Sequence, residues 1–218
     1  MQKQSLKQIA YNIIKNKIIT CEYKPNSFLN EDALCIELSM IRTPVRDALS
    51  RIEQEHLIKI YDKKGFLIMP ISISEIEMVF EGRLLLESYI IVEYCSNLQE
   101  DDIAYLKNIN NEIRKSISLN DEKYYIHDNE FHQALISRCK NKYLLRAYDD
   151  IYNQNSRLRY LSGKHNKIRL EETYKEHNNI IKALKVNNTK LASEMMKIHL
   201  TESKISYYKV ISHDNTLI

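Results

Sequence analysis

Apolar residues recur at helical spacing along most of the chain, with one short break to a period of two. Leu6, Ile9 and Ile13 predict a first helix over roughly residues 4–20. Glu22 to Phe28, around Pro25, predicts a turn. Asn30 is a good N-cap for a second helix through about Leu38, with Ala33, Leu34 and Leu38 available to a core. Ser39 to Ile41 then leads into a stretch with two unlike faces. Val45, Leu49 and Ile52 share one side, and Arg42, Arg46 and Ser50 lie toward the other. Thr43 can cap this helix, and Pro44 fits its first turn, where the missing N–H is no loss. Beyond Glu55 and His56 the period changes. Leu57–Tyr61 and Phe66–Pro70 predict two strands joined through Asp62, Lys63, Lys64 and Gly65.

A boundary falls near Pro70 to Ser74, where Ser72 followed by Glu75 makes a capping-box start. From there the chain predicts helix after helix, over 74–95, 98–116, 121–138, 142–161, 167–187 and 189–211. This half holds Gly82 and Gly163 as its only glycines and has no proline. The expected fold class is therefore mostly α. Residues 1–72 form an N-terminal winged helix-turn-helix, and residues 73–218 an all-helical six-helix bundle.

In a winged helix the third helix enters the major groove and the hairpin flanks it. That places Arg42, Thr43 and Arg46 toward base edges, and Lys63, Lys64 and Gly65 toward the backbone or the minor groove. The same architecture also serves protein–protein modules, and a basic amphipathic helix alone is equally an ordinary surface helix.

Charge and composition sharpen this only a little. Of the formal net charge of +3, all the excess lies in residues 1–72, with 11 Lys/Arg against 8 Asp/Glu; the rest holds 21 of each. Such an excess suits a nucleic-acid face if it is concentrated on one surface. The apolar fraction of 44% is enough for real cores. Cys21, Cys35, Cys95 and Cys139 form no C-x-x-C pair, so neither a disulfide scaffold nor a cysteine zinc knuckle is indicated. No apolar run near membrane-span length and no signal-peptide pattern occurs, and a soluble cytoplasmic protein without membrane partners is expected.

The costly polar residues sit on apolar faces of the second half. Asp128 and His132 are one helical turn apart beside Phe131 and Leu135. His177 precedes Ile181 and Leu184 on an apolar stripe, and His199 follows Ala192, Met195 and Met196 on another. Three histidines and an aspartate on three helices can converge on one divalent ion, with Zn²⁺ heading the expected metals and Ni²⁺ or Mn²⁺ also suiting the donors. The alternative for each histidine is a core residue hydrogen-bonded to a neighbour, and for Asp128 a cap or a lysine pair.

The run from Leu29-Asn30-Glu31 through Arg42-Thr43-Pro44-Val45-Arg46-Asp47-Ala48-Leu49 to Glu55-His56-Leu57-Ile58 resembles the DNA-binding domain of the GntR family of bacterial transcription regulators. Asp128-x-x-Phe131-His132, then Glu176-His177, then His199-Leu200 resembles the effector domain of its FadR-like branch, the FCD domain. Together the resemblance spans roughly residues 6–212. It implies that Arg42 and Arg46 read a guanine-containing half-site, that Thr43 holds phosphate, and that Gly65 approaches the minor groove. It also implies that Asp128, His132, His177 and His199 bind a divalent metal whose shell a small carboxylate effector completes. Arg83 and Glu87 fit the Arg-x-x-x-Glu pattern of that domain, and Arg83 would offer a planar fork to the carboxylate. Without the family, the reading for Arg83 is an exposed salt bridge with Glu87. Arg157 and Arg159 are placed to line the same cavity, and Tyr124 and Tyr125 to flank it. Three positions depart from the family: Ile41 where a hydroxyl is usual, Asp32 where some members are basic, and His56 where Gly is usual.

The expected function is a metabolite-responsive repressor or activator, a homodimer on a palindromic DNA operator, sensing a small organic acid. A metal-dependent hydrolytic enzyme is one alternative, although no further carboxylate or nucleophile stands out as a general base. A protein-interaction module that has lost DNA binding is the other.

Overall fold

Asn30 shows how closely local chemistry starts these elements: its side-chain oxygen accepts the Asp32 N–H at 2.7 Å and opens a helix at Glu31. The structure, a computed structural model, describes residues 4–62, 64–119, 123–163 and 167–213. Its elements are α1 (Leu6–Ile19), β1 (Phe28–Leu29), α2 (Glu31–Leu38), α3 (Arg42–Gln54), β2 (Ile58–Tyr61), β3 (Gly65–Ile68), α4 (Ile73–Tyr94), α5 (Glu100–Leu119), α6 (Tyr124–Ile136), α7 (Lys142–Gly163), α8 (Lys167–Lys185) and α9 (Thr189–His213). They group into two compact units that part between Ser72 and Ile73. The fold is mostly α, a winged helix-turn-helix followed by a six-helix bundle.

In the first unit Ile14 and Ile18 of α1 close on Val45, Leu49 and Ile52 of α3, and Leu57, Phe66 and Ile68 complete the core. Burying each such side chain contributes roughly 1.5–3 kcal/mol. This anchoring leaves Arg42, Arg46 and Ser50 exposed on the opposite side of α3. One local expectation is corrected. The residue at the N-cap of α3 is Ile41, which makes no side-chain capping bond, so Thr43 is the second helical residue and caps nothing.

The hairpin is joined by a third strand that the sequence pattern did not predict. Phe28 and Leu29 pair antiparallel with Leu67 and Phe66, giving the order β1-β3-β2. Two residues carry no readable period. The close approach of β1 explains Gly65, whose φ is +95° and whose added Cβ would stand 2.2 Å from the Leu29 carbonyl oxygen. His56 also adopts the left-handed region, at φ 57°, just after α3 ends at Gln54. A glycine there would take that conformation freely; the histidine is strained by it.

In the second unit α4 packs on α9 and α7, α9 on α8, and α5 on α6 and α8. Its interior holds an unusual set of buried charged and polar residues: Arg83, Glu87, Asp128, His132, Arg157, Arg159, His177 and His199. Among the described residues no helix is long and apolar enough to cross a membrane.

Candidate metal centre and nucleic-acid interface

Helical spacing turns Asp128 and His132 of α6 inward, and α8 and α9 bring His177 and His199 to meet them. One donor atom from each of the four lies within 4.8 Å of the others, and all four residues are buried. Each imidazole is set by its own surroundings. His132 donates from Nδ1 to Glu87 Oε2 at 2.6 Å, and His199 donates from Nδ1 to Glu176 Oε2 at 2.7 Å. With Nδ1 protonated and the rings neutral, both Nε2 atoms carry lone pairs, yet these two atoms face each other at 3.2 Å. Two acceptors at that separation suit a cation between or beside them, and the Arg83 guanidinium already stands 3.4 Å from His132 Nε2.

His177 makes the same point differently. It stacks on Phe131 at 3.9 Å, and neither ring nitrogen has a hydrogen-bond partner although the residue is fully buried. Its Nε2 lies 3.5 Å from Asp128 Oδ1, which is also buried without a hydrogen bond. Unsatisfied polar atoms in an interior are expensive, so a group of them aimed at one point fits an ion. The electrostatics agree. Burial, then the nearby Arg159 and Arg83, hold His132 well below its ordinary titration range. Burial likewise keeps His177 and His199 neutral. Burial pushes the Asp128 carboxyl up, but Arg159 beside it outweighs that and keeps it ionised. One carboxylate and three neutral imidazoles form a donor set for a divalent metal, and such an ion would supply positive charge and open coordination positions.

Around this cluster runs a charged framework. Arg83 donates from Nε to Glu87 Oε1 at 2.6 Å and from Nη1 to Asn155 Oδ1 at 2.9 Å, while its Nη2 lies 3.3 Å from His132. The pair with Glu87 thus forms, but in the interior rather than on the surface, and it steadies the carboxylate that holds His132. Glu87 and Asn155 take Nε and Nη1 of Arg83, which leaves Nη2 on the side of His132. Arg169 grips Glu176 with two bonds of 2.7 Å, and its Nη2 also reaches Ser203 Oγ at 3.0 Å. Burial pushes Glu176 up, but the hydrogen bonds from His199 and Arg169 outweigh it and hold the carboxyl at about 2. Arg159 pairs with Asp128 and Asn129.

A cavity of about 30 Å³ opens beside Asp128 and His199, lined also by Tyr124, Arg159, Arg169 and Ser206. That is room for about one water. Arg157, buried beside Gln154, and Tyr125, packed edge-on to Tyr160, are not among its lining residues. Sequence reasoning missed Arg169. The available signal was its spacing from Glu176, two helical turns along one face of α8.

On the first unit the exposed arginines are already engaged. Arg42 donates from Nε and Nη2 to Asp32 Oδ1 at 3.0 and 2.7 Å, and Arg46 donates from Nε to both oxygens of Glu31 at 2.8 and 3.0 Å. They line an open groove of about 570 Å³ between α2, α3 and the hairpin, together with Ser50, Tyr61, Asp62 and Gly65. Thr43 is exposed in the first turn of α3, and Lys64 is exposed in the hairpin turn. Lys63 lies outside the described residues. The charge excess of the first unit is therefore not gathered in this groove, where Glu31, Asp32 and Asp62 face Arg42 and Arg46.

A winged helix-turn-helix followed by a helical domain with a buried Asp/His cluster defines a ligand-sensing type of transcription regulator. The chain belongs to the FCD domain family over residues 78–202, and residues 6–68 match the bacterial regulatory proteins of the gntR family. It is 25% identical over 194 residues to the HTH-type transcriptional regulator YdhC of Bacillus subtilis (strain 168), covering 87% of this chain and 85% of that one. It is 25% identical over 200 residues to the HTH-type transcriptional repressor GlaR of Escherichia coli (strain K12), covering 88% and 90%. The solved structure of E. coli McbR/YncC shares the fold, with a TM-score of 0.79 at 19% identity over 97% of this chain and all of that one. The protein is thus a GntR-type regulator, and the reading as a hydrolytic enzyme falls with that assignment.

Proposed function

We propose that the protein is a metabolite-responsive regulator of the FadR-like branch. In this reading it binds a palindromic operator as a homodimer in the cytoplasm and senses a small carboxylate at a divalent metal, zinc first. The metal ligands are Asp128, His132, His177 and His199. The observation that carries the reading is the convergence of four buried donors within 4.8 Å, with both ring nitrogens of His177 and Asp128 Oδ1 left without a hydrogen bond. Arg42, Thr43 and Arg46 meet the major groove, with Lys63, Lys64 and Gly65 beside it. Leu191, Ile198 and Ile205 recur every seventh residue on α9 and are exposed, as are Met78 and Leu85 on α4; such stripes suit a second copy of the chain. The description of the E. coli relative favours repression.

The effector binds at the cavity beside Asp128 and His199, which must widen to admit it, and Arg83 acts by keeping Glu87 on His132. Effector binding then changes operator affinity through a coupling of about 1–3 kcal/mol. Elemental analysis of purified protein beside an Asp128→Ala/His132→Ala variant tests the centre. About one metal per chain, absent from the variant, is expected. A carboxylate should raise the melting temperature only in the metal-loaded form. Wild type that stays metal-free after reloading, with no carboxylate response, would return the three histidines to the core.

A further inference from the structure

We propose that Asp32 is a specificity-determining residue of the reading head: it positions Arg42 for a base edge and keeps that arginine off the phosphates. The inference rests on the DNA-binding reading above. Asp32 is the second residue of α2, and its backbone N–H is tied to the Asn30 side chain at 2.7 Å, so its carboxylate projects from a fixed point. One oxygen, Oδ1, accepts from both Nε and Nη2 of Arg42. This occupies one edge of the guanidinium and leaves Nη1 and the second Nη2 hydrogen pointing away, the two donors that a guanine O6/N7 edge requires. An arginine already held in one rotamer loses less freedom when it meets the base.

Both partners are exposed, Arg42 at 63% and Asp32 at 61% of the side chain, so the pair stands where DNA would lie. The groove it lines carries more carboxylates than guanidinium groups, with Glu31 and Asp62 alongside Asp32. A phosphate approaching Arg42 brings a full negative charge toward Asp32, Glu31 and Asp62, whereas a guanine edge brings no net charge. The head is therefore built for weak indiscriminate binding, and it takes its affinity from base contacts.

The test uses the full chain. Wild type first selects duplexes from a random-sequence pool. Fluorescence anisotropy then follows binding to the selected duplex and to a scrambled duplex of equal length over a series of KCl concentrations. Asp32→Asn and Asp32→Ala, whose melting curves should match wild type, are each expected to bind the scrambled duplex roughly 10-fold more tightly. Their log affinity against log salt should be steeper by about one, the slope of one added phosphate contact. The ratio of selected to scrambled affinity should fall by about 10-fold, the scale of one good base contact. In an Arg42→Ala background, Asp32→Ala should change neither ratio nor slope. Unchanged ratio and slope in the single variants would overturn the proposal, as would a full effect of Asp32→Ala without Arg42. A wild-type protein that enriches no sequence would sink the DNA-binding reading and this inference together, which a null result in the variants alone would not.

Discussion

The same chemical pair, an arginine on a carboxylate, occurs in both units with opposite consequences. Arg42 and Asp32 meet in water, while Arg83 and Glu87 meet with 1% and 2% of their side chains exposed. In water the attraction is screened, and solvent, salt or a nucleic acid can reach the part of the arginine that the carboxylate leaves free. Inside the bundle no such access is possible, and loss of one partner strands a charge. Exposed pairs on α2 and α3 thus stay open to a further partner on the edge that the carboxylate leaves free. Those around His132 and His199 are a rigid frame for whatever binds there.

The sharpest way to break this contrast is to cut both pairs. Arg83→Ala leaves Glu87 buried and should destabilise the chain by about 3–5 kcal/mol in urea unfolding. Arg42→Ala should leave the unfolding midpoint where it is. Equal losses from the two variants would end the comparison. Thiol labelling extends it to the cysteines. Burial pushes the Cys95 thiol up to about 12, so its reactive thiolate is scarce at neutral pH, and Cys139 is buried too. Cys21 and Cys35 are only half-buried. In native protein they should label at least about 100-fold faster than Cys95, and mass spectrometry of the labelled peptides decides it.

Two smaller effects sharpen the picture of the reading head. Gly65→Ala forces a side chain into the left-handed region and against the Leu29 carbonyl, and should cost about 1–3 kcal/mol with loss of β1 pairing. Hydrogen exchange at the β1 and β3 amides would show where the loss falls. His56→Gly relieves the strain after α3 and should add about 1 kcal/mol. A stability decrease in that variant would mean that the interactions of His56 outweigh the backbone strain.

Much of this arrangement was legible in the chain. Periodicity located the helices to within a few residues, because each buries one face and the alternation of apolar and polar positions records it. The split of α3 into Val45, Leu49 and Ile52 against Arg42, Arg46 and Ser50 was readable for the same reason. Asp128 and His132 could be paired across one turn, and His177 and His199 placed on apolar stripes, from spacing alone. The start of α3 at Arg42 was readable but its cap was not, since Thr43 is a good capping residue in the abstract and only the course of the chain before it made Ile41 the cap. Nor was β1, whose two residues are strands only because β3 lies beside them.

What the sequence by itself determined is the set of elements and the kinds of side chain each presents, because helix period, caps and glycine conformations are local. Only the tertiary structure decided which charges meet. Asp32 on Arg42, Glu87 on His132, Arg169 with Glu176 behind His199, and the two facing Nε2 atoms depend on how separate helices pack. A carboxylate has no period that announces its partner. Its worth is set by the distance and the dielectric it finds on folding.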